Sequence, residues 1–195
     1  MRKSLSALTV LSLISYATTA GAEAWYAGGY GAINYTHDGS TNDAGVDASY
    51  DFGLGLGGYF GFHVQENIRL EGELSYRTND IDSRGGVPIA GKVESLALMA
   101  NAFVDFKLKS NVEPYIGAGI GAADVDYRIS GIDYTDTVLA LQVMGGFATG
   151  IAPTVDLTVD YRLFLTDEVR VGSGVGWGRV DYVNSAVTVG IRKTF

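Results

Sequence analysis

Apolar and polar residues alternate with a period of two along most of the chain, and no segment has the spacing of a convincing amphipathic helix. The clearest case is 68–77, where one face is apolar apart from a glycine and the other holds only charged residues and a serine. Seven further segments repeat the pattern with varying regularity. The sequence therefore predicts eight β-strands, over 24–36, 48–62, 68–77, 95–108, 114–129, 138–151, 155–165 and 186–195.

The connections between these strands alternate in length. Three are short and four are longer and polar: the short ones lie around 63–67, 109–113 and 152–154, and the long ones around 37–47, 78–92, 130–137 and 166–182. Short turns at one end and long loops at the other are typical of a bacterial outer-membrane barrel, whose tilted strands need about 9–11 residues to cross the bilayer. The uncharged segment 137–155 is long enough for a helical span, but its glycines and proline favour a strand followed by a turn.

The first residues have the pattern of an export signal. Arg2 and Lys3 precede an uncharged apolar run over 5–17, and the small residues Ala20 to Ala22 suit a cleavage site. We therefore predict a secretory signal peptide over 1–22 and one barrel domain over 23–195. The alternative, an uncleaved helical anchor, is disfavoured because the apolar run is short.

Alternation alone does not say which face of the barrel meets its surroundings, since a soluble lipocalin-type barrel has the inverse arrangement. Three features favour a membrane barrel. Glycines share the charged face, which suits a narrow interior. Aromatic residues gather near strand ends, as in interfacial girdles: Trp25, Tyr35, Phe60, Phe62, Tyr76, Phe106 and Phe195. The charged face carries both signs, so that its members can pair inside the lumen; these predicted lumen charges are Arg69, Glu71, Glu73, Arg77, Asp105, Lys107, Asp156, Asp160, Arg162 and Arg192.

The alternation slips in phase over 122–129. Asp124 and Asp126 fall on what would be the apolar face. We expect either a β-bulge at this point or a stretch of strand that already lies above the membrane.

Composition excludes several classes of site. The chain has no cysteine, which rules out a disulfide scaffold, a thiolate zinc site and a cysteine nucleophile, and its two histidines do not allow a histidine-rich metal site. A net charge of -8 argues against a nucleic-acid partner. The glycine-rich runs 53–61 and 117–121 lack a Walker lysine. We expect no cofactor, no metal and no catalytic residues.

Several short motifs appear in a recognisable order. They are Trp25 to Gly28, Leu98 to Ala102, Pro114 to Gly121, Tyr161-Arg162 and Gly190 to Phe195. Behind a signal peptide, this order resembles the eight-stranded outer-membrane β-barrel superfamily of opacity-type proteins, small surface antigens and the membrane domain of OmpA-like proteins. The resemblance covers 23–195. It implies an all-β, antiparallel, up-and-down transmembrane barrel in the outer membrane of a Gram-negative bacterium. Phe195, a terminal phenylalanine on an alternating strand, resembles the signal that the barrel-assembly machinery recognises. The resemblance therefore implies that this machinery is a partner of the protein.

Fold does not decide function here, and three hypotheses remain open. The first is a structural or surface-interaction role: the lumen is plugged and four loops face outward, in contact with outer-membrane lipid, lipopolysaccharide, or a host or surface protein. Trp177 is a candidate contact residue in a glycine-rich loop. The second is a narrow porin-like channel. The third is a lipid A-modifying enzyme, since His37 in the first loop and Asp82-Ser83 in the second match a palmitoyltransferase-type arrangement.

Overall fold

A computed structural model of the protein describes residues 24–37, 48–50, 52–84, 87–129, 132–167, 169–173, 176–180 and 183–195. The predicted signal peptide lies outside the described residues, so it stays a prediction. Within the described ranges, no helix is long and apolar enough to cross a membrane.

Eight long strands build the part of the molecule that the structure describes, and three short strands lie in or beside the loops. The long strands are β1 (Trp25–Thr36), β3 (Phe52–Gln65), β4 (Ile68–Arg84), β5 (Val87–Asp105), β6 (Val112–Ile129), β7 (Ile132–Ala152), β8 (Val155–Thr166) and β11 (Val183–Thr194). The short strands are β2 (Ala48–Tyr50), β9 (Val169–Ser173) and β10 (Gly176–Val180). The uncharged segment that resembled a membrane helix is a strand and a turn, as predicted.

The eight long strands form a closed antiparallel ring. Each pairs with its neighbours along the chain, and β1 pairs with β11 from Tyr26↔Thr194 to Thr36↔Asn184, which closes the sheet on itself. This is the predicted eight-stranded up-and-down barrel. The short connections β3–β4, β5–β6 and β7–β8 lie at one end, called here the turn end, and the long connections lie at the other, the loop end.

Two predicted loops continue as paired strands. The ladder of β4 and β5 extends to Arg84↔Val87, and that of β6 and β7 extends to Ile129↔Ile132. The predicted loop 166–182 contains the separate hairpin of β9 and β10. In the described part of the β4 extension, the neighbouring residues Thr78, Asn79 and Asp80 are all polar, so the two-residue apolar–polar period disappears from the sequence although the backbone pairing continues.

Strand β6 has no phase slip. Its register against β5 and β7 is unbroken, and Ala123, Val125 and Tyr127 keep the inward alternation. The expected bulge is therefore wrong. Asp124 and Asp126 point outward and accept hydrogen bonds from threonine hydroxyls on β7. The outward face changes from apolar to acidic at this height, which supports the alternative that the strand rises above the membrane here.

The outward face of the barrel carries an exposed apolar band, and aromatic residues line its turn end. The Trp25 ring lies 5.2 Å from Phe60 and 4.8 Å from Phe62. Large exposed side chains continue around the ring on all eight strands; examples are Leu54, Leu74, Leu98, Ile120, Val143, Tyr161 and Val189. A water-soluble barrel would bury these side chains, so the arrangement is that of a barrel solvated by lipid.

Glycines on the inward face make room for the side chains that fill the lumen. A Cβ added at Gly121 would lie 2.1 Å from the Leu98 carbonyl oxygen and 2.8 Å from the Met99 Cα, and backbone cannot move aside cheaply. We expect Gly121→Ala to destabilise the barrel by about 1–3 kcal/mol. The measurement is urea unfolding of the protein refolded into lipid vesicles.

Gly72 provides the matched control for this change. It lies on the same barrel but faces outward, and an added Cβ there would have no atom within 4 Å. Gly72→Ala should change the free energy of unfolding by less than about 0.5 kcal/mol. Equal effects at the two positions would contradict the inward and outward assignment.

Candidate functional site in the barrel lumen

Eight of the ten predicted lumen charges are buried inside the barrel. Strand β4 supplies four of them at alternate positions, because a period of two sends every second side chain inward. Strands β5, β8 and β11 supply the others. The buried charges are Arg69, Glu71, Glu73, Arg77, Asp105, Asp160, Arg162 and Arg192.

A central cluster, defined as Tyr30, Glu73, Asn101, Gln142 and Arg162, spans the lumen from β1, β4 and β5 to β7 and β8. Tyr30 donates to Glu73 Oε1 at 2.6 Å. Glu73 Oε2 accepts from Asn101 at 2.8 Å, from Gln142 at 3.2 Å and from Arg162 at 2.8 Å. The Arg162 guanidinium also lies 4.1 Å from the centre of the Tyr30 ring. One buried carboxylate thus receives four donors, and its charge is paired.

A second cluster fills the lumen towards the turn end. Arg69 donates to both Asp105 oxygens, at 3.0 and 3.1 Å, and forms a close ion pair with Glu71. Tyr26 donates to Glu71 at 3.0 Å. The Arg69 guanidinium stacks on the Phe103 ring at 3.9 Å.

Asp160 connects the two clusters. It accepts from Arg162 at 2.6 Å and from Tyr115 at 2.8 Å, and the Tyr115 ring lies 4.8 Å from the Arg69 guanidinium. Arg192 is held separately: it donates to Asp156 Oδ2 at 2.8 and 3.0 Å, and Asp156 is only half-buried. Every one of these contacts joins different strands except the short-range pairs Arg162–Asp160 and Arg69–Glu71. Among them, the Glu73–Arg162 contact bridges opposite sides of the ring, because three strands separate β4 from β8 in either direction.

Lys107 is not a lumen residue, and its prediction is corrected. The alternation was extended to 108, but β5 ends at Asp105, where backbone bonds from Asp105 N to Asn67 O and from Phe106 N to Pro114 O begin the turn. Lys107 lies in that connection, is exposed, and has its ammonium 3.8 Å from Glu66. His63 is the inward residue at this end and lies 3.9 Å from Asp105.

At the positions described, neighbouring side chains fill the space beside the glycine-rich faces of β3 and β6. The side chain that occupies the space above each glycine comes from a neighbouring strand: Tyr30 at Gly57, Phe103 at Gly117 and Asn101 at Gly119. A small cavity of about 10 Å³ lies next to Arg69, Glu71, Asp160 and Arg162. That volume holds about one water molecule.

The profile described as the outer membrane protein beta-barrel domain matches residues 4–192. The chain belongs to this family. An uncharacterized protein of Brucella abortus (strain 2308) is 26% identical over 166 residues, and the match covers 70% of this chain and 57% of that protein. The chain thus spans little more than half the length of the curated relatives it matches.

Two solved structures share this fold. Neisserial surface protein A is similar with a TM-score of 0.59 and 22% identity, covering 88% of this chain and 97% of that one. OprG from Pseudomonas aeruginosa is similar with a TM-score of 0.63 and 14% identity, covering 89% and 95%. At these identities the likeness concerns the barrel architecture alone.

Two residues named in the sequence analysis, Phe195 and Trp177, belong to parts of this outer-membrane barrel other than the lumen clusters. Phe195 is exposed at the turn end, and its backbone N–H donates to Trp25 O at 2.9 Å. Its role as an assembly signal stays a prediction. Trp177 lies in β10, paired with Gly172. Its side chain lies outside the described residues, so its role as a contact residue also stays a prediction.

Of the residues of the enzyme hypothesis, the structure describes the side chain of His37. His37 Nε2 lies 2.9 Å from Ser185 Oγ, and the His37 ring contacts the edge of Tyr35 at 5.3 Å between centroids. Sequence reasoning missed Ser185. The side chains of Asp82 and Ser83 lie outside the described residues. In the part of the chain that the structure describes, no group of acidic residues and histidines is arranged to hold a metal ion.

An outward ionic cluster marks the loop end of the apolar band. Glu94 lies 3.4 Å from Lys92 Nζ and 3.0 Å from Arg128 Nη1. The Tyr76 hydroxyl donates to Glu94, and this bond holds the pKa of the Glu94 carboxyl below its ordinary value, with both cations acting in the same direction. Glu94 is opposite Asp126 in the ladder, so this cluster lies at the height where lipid headgroups meet the barrel.

Proposed function

We propose that this outer-membrane barrel is a closed scaffold that does not conduct solutes and acts through its loop end. The observation that carries the proposal is the central cluster, in which Glu73 and Arg162 meet across the lumen at 2.8 Å. The porin-like alternative requires these groups to separate. Separation would leave two buried charges without partners, at a cost of several kcal/mol.

The loop end is the part of the barrel that is available to partners. Four connections leave it, and two of them are stiffened by the ladders of β4 with β5 and of β6 with β7. The name of Neisserial surface protein A agrees with a role at the cell surface. We propose lipopolysaccharide and a host or surface protein as partners, with the outward Lys92 and Arg128 facing lipid phosphates. The barrel-assembly machinery is the proposed partner during insertion.

Planar-bilayer recording tests whether the lumen is closed. Protein that is shown to be folded by its heat-dependent gel mobility should give no discrete current steps. The variant Glu73→Ala/Arg162→Ala removes the charged pair that spans the centre of the lumen, so the folded variant should give discrete current steps. Current steps from this variant would also serve as the positive control, because they show that the recording detects inserted protein.

Discrete steps from the folded natural protein would favour the narrow channel instead. In that case, the loop-end role would lose its main support, and the central cluster would become the gate to mutate. A lumen that is silent in both forms would point to a plug that extends beyond the central cluster.

A further inference from the structure

Three of the five lysines of the chain lie at the turn end of the barrel: Lys107, Lys109 and Lys193. The Lys107 ammonium is 3.8 Å from Glu66, which offsets its charge. Lys109 and Lys193 are exposed, and no carboxylate of the described residues forms an ion pair with either. Two ammonium groups at the turn end are therefore available to an anion from outside the chain.

Lys193 lies on the outward face of β11, between Ile191 and Phe195, which are 46% and 71% exposed. Its ammonium is 5.8 Å from the centre of the Phe195 ring, so the side chain extends towards the turn end. Ala27 is opposite Lys193 in the β1–β11 ladder and is too small to cover it. A lysine in this position places its methylene stem on the apolar band and its charge at the membrane interface.

The β5–β6 connection presents the same combination of groups elsewhere on the ring. Its apolar residues Phe106 and Leu108 are 45% and 57% exposed, and they alternate with Lys107 and Lys109. Two strands separate this connection from the β1–β11 seam in either direction, so the two cationic positions lie on opposite sides of the barrel. Exposed apolar side chains next to ammonium groups suit the boundary between acyl chains and lipid headgroups.

The charge differs between the two ends of the outward face. In outer-membrane barrels the short turns face the periplasm, where the leaflet consists of phospholipids. At the loop end the outward face carries Asp124 and Asp126, and Lys92 there is paired with Glu94. An anionic headgroup is therefore attracted to the turn end more strongly than a zwitterionic one, whose own cation offsets its phosphate.

We propose that the turn end of the barrel binds anionic phospholipids of the phosphatidylglycerol class from the periplasmic leaflet. The headgroup phosphate contacts the ammonium of Lys193 at the β1–β11 seam and that of Lys109 on the opposite side. Phe195, Phe106 and Leu108 contact the adjoining glycerol and acyl carbons. The site lies at the other end of the barrel from the proposed surface role and does not depend on it. A lipid bound in this way stabilises the folded barrel.

Quenching of Trp25 fluorescence by brominated lipids tests the site at the seam, because the Trp25 carbonyl accepts the backbone bond from Phe195. The background variant Trp177→Phe leaves Trp25 as the one tryptophan of the chain. At low ionic strength, brominated phosphatidylglycerol should bind beside Trp25 about fivefold more tightly than brominated phosphatidylcholine, and added salt should weaken this preference. Lys193→Gln should abolish the preference, and Lys193→Arg should keep it.

Thermal unfolding tests both lysines together. The midpoint, followed by heat-dependent gel mobility, should be about 3 °C higher in vesicles that contain phosphatidylglycerol than in pure phosphatidylcholine. Lys109→Gln/Lys193→Gln should remove this difference, and both positions are exposed, so the variant should fold. Lys92→Gln removes a lysine at the loop end and is the matched control, which should keep the difference.

Three results would each overturn the proposal. They are equal quenching of Trp25 by the two brominated lipids, a phosphatidylglycerol preference that Lys193→Gln retains, and a midpoint difference that Lys92→Gln removes as fully as Lys109→Gln/Lys193→Gln.

Discussion

Glu73→Gln is expected to destabilise the folded barrel by about 3–5 kcal/mol. Glutamine keeps the size of the side chain but replaces one acceptor oxygen by a donor. In the natural protein one carboxylate oxygen receives Tyr30 and the other receives three donors, Arg162 among them. Whichever way the amide turns, a donor faces a donor, and Arg162 loses its cross-lumen counter-charge. Urea unfolding of the protein refolded into lipid vesicles measures the loss.

Lys107→Gln is the control for removing one partner of an ion pair. Lys107 and Glu66 are exposed and 3.8 Å apart, so this change should alter the free energy of unfolding by less than about 0.5 kcal/mol.

The double variant Glu73→Gln/Arg162→Gln should recover part of the loss, because the two effects are not independent. Additive losses in the double variant would show that Glu73 and Arg162 do not act as a pair.

Val143→Arg is expected to destabilise the inserted barrel by about 2–4 kcal/mol. Val143 points outward from β7 and is 54% exposed, with Leu141 on one side and Gly145 on the other at the same face. It therefore lies near the middle of the apolar band, where a guanidinium loses its hydration to lipid. Unfolding by urea from vesicles gives the free energy.

Thr137→Arg tests the depth dependence on the same strand and the same face. Thr137 is six positions nearer the loop end and donates to Asp124 at 2.6 Å. An arginine there lies beside a carboxylate and headgroups, so the cost should be about 0–1 kcal/mol. A result in which both arginines cost the same would contradict the placement of the membrane boundary at Asp124.

The period of two was sufficient to predict the ring and most of its interior. It assigned Arg69, Glu71, Glu73 and Arg77 to one face of a strand, and all four are buried in the lumen. It did not predict which partners they meet. Glu73 and Arg162 are brought together by the closure of the barrel, and no local pattern encodes that distance across the lumen.

The sequence pattern also allows the neutral residues of the central cluster to be predicted. Tyr30, Asn101 and Gln142 all occupy inward positions of the alternation, where a polar residue in a narrow lumen must find a partner. Their types show that the charges are hydrogen-bonded as well as paired. Counting inward amides and phenols would have found them.

The wrong predictions concern the ends of the strands. Alternation continues in the sequence past Asp105, so Lys107 was assigned inward, whereas the turn is set by backbone bonds that the pattern does not show. The extensions of the β4–β5 and β6–β7 ladders were not predicted, because there the strands continue after the alternating pattern in the sequence has ended. At Thr78, Asn79 and Asp80 of β4, neighbouring residues are polar on both faces of the strand, and the ladder persists there without a hydrophobic period.

The pairing of β1 with β11 is expected to be the last strand pairing to form when the barrel folds. These strands lie at opposite ends of the described chain, so the seam between them has the largest sequence separation of any in the ring. Contacts of this kind form late and slowly. Until they do, both strands present unpaired backbone groups that are prone to aggregate in water and costly in lipid. Closure of the ring is therefore the step at which the growing barrel depends most on being held apart from other chains.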